Sequence, residues 1–163
     1  MRTILSIQPD GQRLGYAVFK DASLKAFGTK NLGKGTLGHR IHRIAMPFFR
    51  SMVREHEPDL IVLPHPTVRR GTGRNRFLRA LRYELDRAPC ATKSISRNEI
   101  KLSFGSVLKL KRPSKDRIMK ALAEWFPNLL LYLPKPRRSW EPQDYWYRMF
   151  DAVSLAVTYL HQL

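Results

Sequence analysis

The chain has 163 residues, 43% of them hydrophobic and 10% aromatic, which is enough for one buried core and too apolar for wholesale disorder. Its 30 lysines and arginines outnumber its 13 acids, giving a net charge of +17 that points to a polyanionic partner, nucleic acid first. No apolar run is long enough to span a bilayer, no signal-peptide core opens the chain, and the basic residues are spread rather than gathered beside an apolar anchor. A membrane partner is therefore not expected. The lone Cys90 excludes an internal disulfide and a cysteine-only zinc site. It reads as a small buried hydrophobe in a reducing compartment, the cytoplasm or another that contains nucleic acid.

Taken in chain order, strands are predicted over 3–7, 14–20 and 24–30. The short breaks between them, Pro9-Asp10-Gly11 and Asp21-Ala22-Ser23, suit an antiparallel meander. A helix follows over 37–56, with Ile41, Ile44, Ala45, Phe48, Met52 and Val53 on its inner face and a kink expected at Pro47. The unbroken apolar run Leu60-Ile61-Val62-Leu63 reads as a strand buried on both faces. A helix over 74–87 turns Phe77, Leu78, Leu81 and Leu85 inward and Arg76, Arg79 and Arg82 outward. Next come a short strand over 90–95, a short helix from Ser96, a longer one N-capped by Ser114, and a last helix over 145–163. Neither a linker nor an internal repeat divides the chain, so the layout is one α/β domain with a mixed sheet.

Three stretches carry a resemblance: Ile4-Leu5-Ser6-Ile7-Gln8-Pro9-Asp10 with Gly15-Tyr16, then Pro58-Asp59-Leu60-Ile61-Val62-Leu63-Pro64, then Asp151-Ala152-Val153-Ser154-Leu155-Ala156-Val157. In this order and spacing the chain resembles bacterial Holliday-junction resolvases of the RuvC type. The resemblance implies a ribonuclease H-like fold with a five-stranded mixed sheet, a three-strand meander plus two parallel strands, flanked by helices. It also implies a homodimer that cuts branched DNA with carboxylate-bound magnesium at four acidic or metal-binding positions. Here Gln8 stands where the first aspartate belongs, Pro64 where a glutamate ends the fourth strand, and Arg148 where an aspartate or histidine lies one helical turn before the last aspartate. Only Asp151 matches.

These departures bear directly on chemistry. Two-metal phosphodiester hydrolysis needs several carboxylates converging on two divalent ions about 4 Å apart. Gln8 offers a neutral amide and Pro64 no side-chain ligand. Arg148 shares a helix face with Asp151 and places a permanent positive charge where a cation would bind. An ion-pair ladder through Asp144, Arg148 and Asp151 is therefore expected, with neither cofactor nor metal. Magnesium or manganese enters only if Asp10, His65, Asp144 or Glu141 supplies relocated ligands. Each has a plainer reading: Asp10 as a turn residue, His65 as a loop residue between two prolines, Glu141 as an exposed charge.

Cations are retained or added while carboxylates disappear. Lys101 and Lys115 stand near where the resemblance places DNA-contacting lysines, and Lys109, Lys111 and Arg112 enrich the same segment. Arg69, Arg70, Arg74 and Arg76 cluster around Gly71-Thr72-Gly73, whose backbone allows close approach to a phosphate. The aromatic wedge of the resolvases corresponds here to Thr67, so wedge-driven junction opening is not expected. The connector at about 129–144 is rich in proline and carries Arg137, Arg138 and Trp140. Cations interleaved with aromatics suit unpaired bases, while Trp140, Trp146 and Tyr147 equally suit packing onto the core or a partner subunit.

The sequence thus supports a catalytically inactive, RuvC-like nucleic-acid-binding domain that acts as a structural or recruiting component on branched DNA or structured RNA. The alternatives are a metal-dependent, structure-selective endonuclease with relocated carboxylates and a protein-interaction module within a nucleoprotein assembly.

Overall fold

The computed structural model describes residues 1–66, 73–88, 90–141 and 144–163. Strands β1 (Thr3–Pro9), β2 (Arg13–Lys20) and β3 (Ser23–Asn31) form the expected antiparallel meander. β4 (Leu60–Pro64) and β5 (Ala91–Ile95) extend the sheet in parallel from β1, giving the order β3-β2-β1-β4-β5. This is a five-stranded mixed sheet of the ribonuclease H-like type.

The central strand is buried along its whole length because helices cover both faces of the sheet. Alternation along a strand sends successive side chains to opposite faces. Leu5 and Ile7 join one core with Phe49 and Leu81 from helices α2 (Met46–His56) and α3 (Gly73–Leu85). Ile4 joins the other with Phe104, Leu122 and Val153 from α4 (Arg97–Leu108), α5 (Lys115–Trp125) and α6 (Tyr147–His161). Ser6, on the α6 face, donates its hydroxyl to the Ala152 carbonyl at 2.7 Å and ties that helix to β1. By the same period of two, Gln8 comes to the α6 face at the strand's end.

The predicted 37–56 helix is interrupted rather than simply kinked. A short turn α1 (Leu37–His39) leads into a π-helical segment, Arg40–Ala45, in which the Met46 amide donates to the Ile41 carbonyl. Regular helix resumes at Met46 with Pro47 in its first turn. Proline has no N–H to donate and its ring crowds the carbonyl four residues back, so a wider turn ahead of it relieves the helix.

The helix from Ser96 is longer than expected, 12 residues, and opens with a complete capping box between Ser96 and Glu99. Ser114 caps α5 as predicted, its hydroxyl accepting from the Arg117 amide. Part of the connector is itself ordered as a 3₁₀ turn, Pro127–Tyr132, and α6 begins at Tyr147 rather than 145.

Candidate functional site

The parallel strands β1, β4 and β5 all end on one side, and Gln8, Pro64 and Ile95 from those ends line a cleft of about 360 Å³. The carboxyl ends of parallel strands are where open α/β sheets place their ligand sites. The first turn of α6 closes over this edge because of Gly15. Gly15 pairs with Gln8 across the β1–β2 ladder, and a side chain there would overlap the backbone of Arg148. The missing Cβ is what lets Arg148 and Asp151 reach the strand that carries Gln8.

Four charged groups meet at the mouth. Arg148 donates from Nε to Asp10 Oδ2 at 2.7 Å and from Nη1 to Asp151 Oδ2 at 2.8 Å. Lys115 straddles the same carboxylate, its Nζ 3.0 Å from Asp151 Oδ1 and donating to Oδ2 at 3.1 Å. All four side chains are between 24% and 31% exposed. Burial alone would raise the Asp10 carboxyl, yet the Gln12 and Arg13 amides and the Arg148 guanidinium outweigh it and hold the group below its ordinary value. Burial disfavours the charge on Arg148, but Asp151 and Asp10 overcome this and raise its pKa. Lys115 goes the other way: burial lowers its pKa despite Asp151.

This geometry corrects one expectation. The ladder partner is Asp10, not Asp144. Asp144 lies ahead of the helix, where its carboxylate accepts from the Trp146 amide at 2.9 Å and its carbonyl receives Arg13 at 3.4 Å. Spacing of four residues aligns side chains only within a helix, and α6 has not started there. Lys115, expected at a phosphate, is engaged by Asp151 and stands 4.5 Å from the centre of the Tyr147 ring.

Of the other candidates, Lys101 and Arg74 line the cleft with Gln8, Pro64, Arg148 and Asp151. Arg74 donates from Nη2 to the His65 carbonyl at 3.0 Å, so His65 contributes its backbone while its side chain is exposed. Arg76, Lys109, Lys111 and Arg112 are exposed and away from the cleft lining. Arg69, Arg70 and the wedge position Thr67 lie outside the described residues.

The connector splits along its length. Trp146 packs edge-on against Tyr132 at 4.7 Å and Tyr147 is buried, whereas Trp140 is 74% exposed with Arg138 5.4 Å over its ring. Arg137 donates to the Glu141 carbonyl and sits 5.8 Å from the Tyr147 ring centre, opening a line from the connector to Lys115. Glu141 stays exposed and accepts from the Arg138 amide.

Arg97 is a lining residue that the sequence reading missed. It follows the Ser96 cap directly and belongs to no motif, so only the packing of α4 against α6 brings it to the cleft.

The residues do not fit the carboxylate-bound magnesium that the fold implies. Both carboxylates at the mouth are committed to one guanidinium, Gln8 and Pro64 bring no charge, and among the described residues no three His, Cys, Asp or Glu side chains converge as ligands.

No protein-family model matches the chain, and no curated protein sequence does. Solved structures do. Thermus thermophilus RuvC in complex with a Holliday junction substrate superposes with a TM-score of 0.68 at 15% identity, over 99% of this chain and 94% of that one. The yeast mitochondrial Holliday junction resolvase gives 0.62 at 18% identity over 98% and 78%. The fowlpox virus resolvase with its substrate Holliday junction DNA gives 0.58 at 12% identity over 98% and 97%. The chain has the RuvC-type fold.

Proposed function

We propose that this chain is a binding domain for branched nucleic acid that keeps the resolvase scaffold and does not cut. The observation that carries the reading is the Arg148 guanidinium bridging Asp10 and Asp151 at 2.7 and 2.8 Å. A guanidinium is permanently charged and satisfies both carboxylates by directed hydrogen bonds. It takes the place of a divalent ion electrostatically, but it cannot polarise a phosphoryl oxygen as a Lewis acid or lower the pKa of a bound water.

Binding is supported by the +17 charge and by basic residues around the cleft. Two of the similar structures hold Holliday junction DNA, which favours branched DNA over structured RNA as the ligand. On this reading the chain marks or holds a junction for other components.

One observation favours a second reading, a metal-dependent endonuclease with relocated carboxylates: Asp10, two residues beyond the lost first ligand, does face Asp151 across Arg148. Incubating a labelled four-way junction with the protein and magnesium or manganese separates the two. A retarded complex with intact strands is expected. Cleavage that disappears in both Asp10→Asn and Asp151→Asn would overturn the binding-only reading.

A further inference from the structure

The cleft behind the ion-pair network holds more positive charge than the network uses. Among the described residues, Arg74, Arg97, Lys101, Lys115 and Arg148 line it against one carboxylate, Asp151. Arg148 and Lys115 are taken up by Asp10 and Asp151, while Arg74, Arg97 and Lys101 have no carboxylate partner among the described residues. Arg74 Nε is buried without a hydrogen-bond partner there, and its charge is disfavoured first by burial and then by Arg148. Arg97 is exposed and Lys101 half-buried, so the cost of crowding like charges falls on Arg74, and an anion joining them would offset it.

The backbone adds to this field. Arg97 and Lys115 are the first residues of α4 and α5, and Arg74 and Arg148 the second of α3 and α6. Four helices of 11 to 15 residues thus bring cations to their positive ends on one cleft, opposite to what helix stability favours. The first-turn acids do not neutralise the cleft: Glu99 is spent in its capping box and Asp116 is exposed outside the lining.

The lining also includes the apolar Ile100, Pro113, Ile118 and Met119, carried by α4, α5 and the turn before α5 beside the cations, and the 360 Å³ exceeds what a phosphate alone fills. From this juxtaposition we propose that the cleft binds a nucleoside 5′-monophosphate unit without metal, its dianionic phosphate on Arg74, Arg97 and Lys101 and its nucleoside against the apolar lining residues. Three uncompensated cations match a terminal phosphate, with two charges, better than an internal diester with one. This deepens the binding reading by naming the chemical unit held at its centre. The unit is either a free nucleotide or the phosphorylated end of a strand.

Calorimetry in EDTA with thymidine 5′-monophosphate, thymidine and inorganic phosphate tests it, alongside fluorescence titration of one oligonucleotide with and without a 5′-phosphate. The monophosphate is expected to bind at least about ten-fold tighter than thymidine or inorganic phosphate, since charge-assisted contacts and apolar contact are combined only there. A phosphorylated strand that outbinds the mononucleotide identifies a strand end as the source, and the reverse identifies a free nucleotide. The Arg97→Ala/Lys101→Ala variant leaves no carboxylate orphaned, so it should fold and lose about ten-fold or more of this affinity. Lys25→Ala, exposed on β3, should change nothing. A monophosphate that binds no better than thymidine or inorganic phosphate overturns the proposal, as does an unaffected double variant. If a junction without terminal phosphates still binds, that failure leaves the branched-nucleic-acid reading standing; if it does not, both fall.

Discussion

Arg148 keeps two carboxylates together that would otherwise repel. Removing it leaves Asp10 and Asp151 facing one another, and Arg148→Ala should lower stability by about 1–3 kcal/mol, toward the lower end because the groups are partly solvated. Arg148→Lys should recover only part, since a single ammonium lacks the planar fork that serves both acids. Urea denaturation of the three proteins measures this. Asp10 also sets an acid limit. Its folded pKa lies below its ordinary value, so its contribution is complete above the ordinary carboxylate range and is lost as pH falls through the lowered folded value. Unfolding midpoints followed from about pH 5 downward should drop more steeply for the native chain than for Asp10→Asn. Gln8, Pro64, Arg148 and Asp151 were legible as one constellation because strand ends and a helix turn keep their places when a scaffold is retained. Asp10 was legible only as a possible relocated ligand; its pairing with Arg148 was not, because a turn residue's orientation is set by its local amides, here those of Gln12 and Arg13, and no periodicity announces that.

At the scale of elements, the site depends on how closely α6 approaches β2. Any side chain at Gly15 must displace the Arg148 backbone, and neither a ladder strand nor a buried helix gives way cheaply. Gly15→Ala should therefore cost about 2–4 kcal/mol and shift the melting temperature down by roughly 5–15 °C, scaling for a chain of this size. Calorimetric melting checks it, and an unchanged midpoint would mean that α6 sits less tightly than the structure places it. The meander, the doubly buried β4 and the inner face of α3 could all be read from apolar patterning. The π-helical turn before Pro47 could not, because proline predicts a disturbance without specifying whether the helix bends or widens. The α4 boundary was legible at its start, where Ser96 and Glu99 make a cap, and not at its end, where Lys109 turns the chain with a φ of 55°.

For the whole molecule, the excess of 30 basic over 13 acidic residues dictates how binding responds to salt. If at least five phosphates are engaged, the logarithm of affinity should fall against that of salt concentration with a slope of roughly −4 or steeper. A flat dependence would favour a protein partner over nucleic acid. Fold and chemistry separate here: the chain superposes on the resolvases along nearly its whole length, while at the positions where the resemblance implies acids Gln8 and Pro64 are neutral and Arg148 is positive. The most direct measurement is a calorimetric titration of the chain with manganese, beside a Gln8→Asp/Pro64→Glu/Arg148→Asp variant. The native chain should give no specific heat of binding, with binding recovered only when all three positions are restored. Saturable manganese binding by the native chain that vanishes in Asp10→Asn would contradict it.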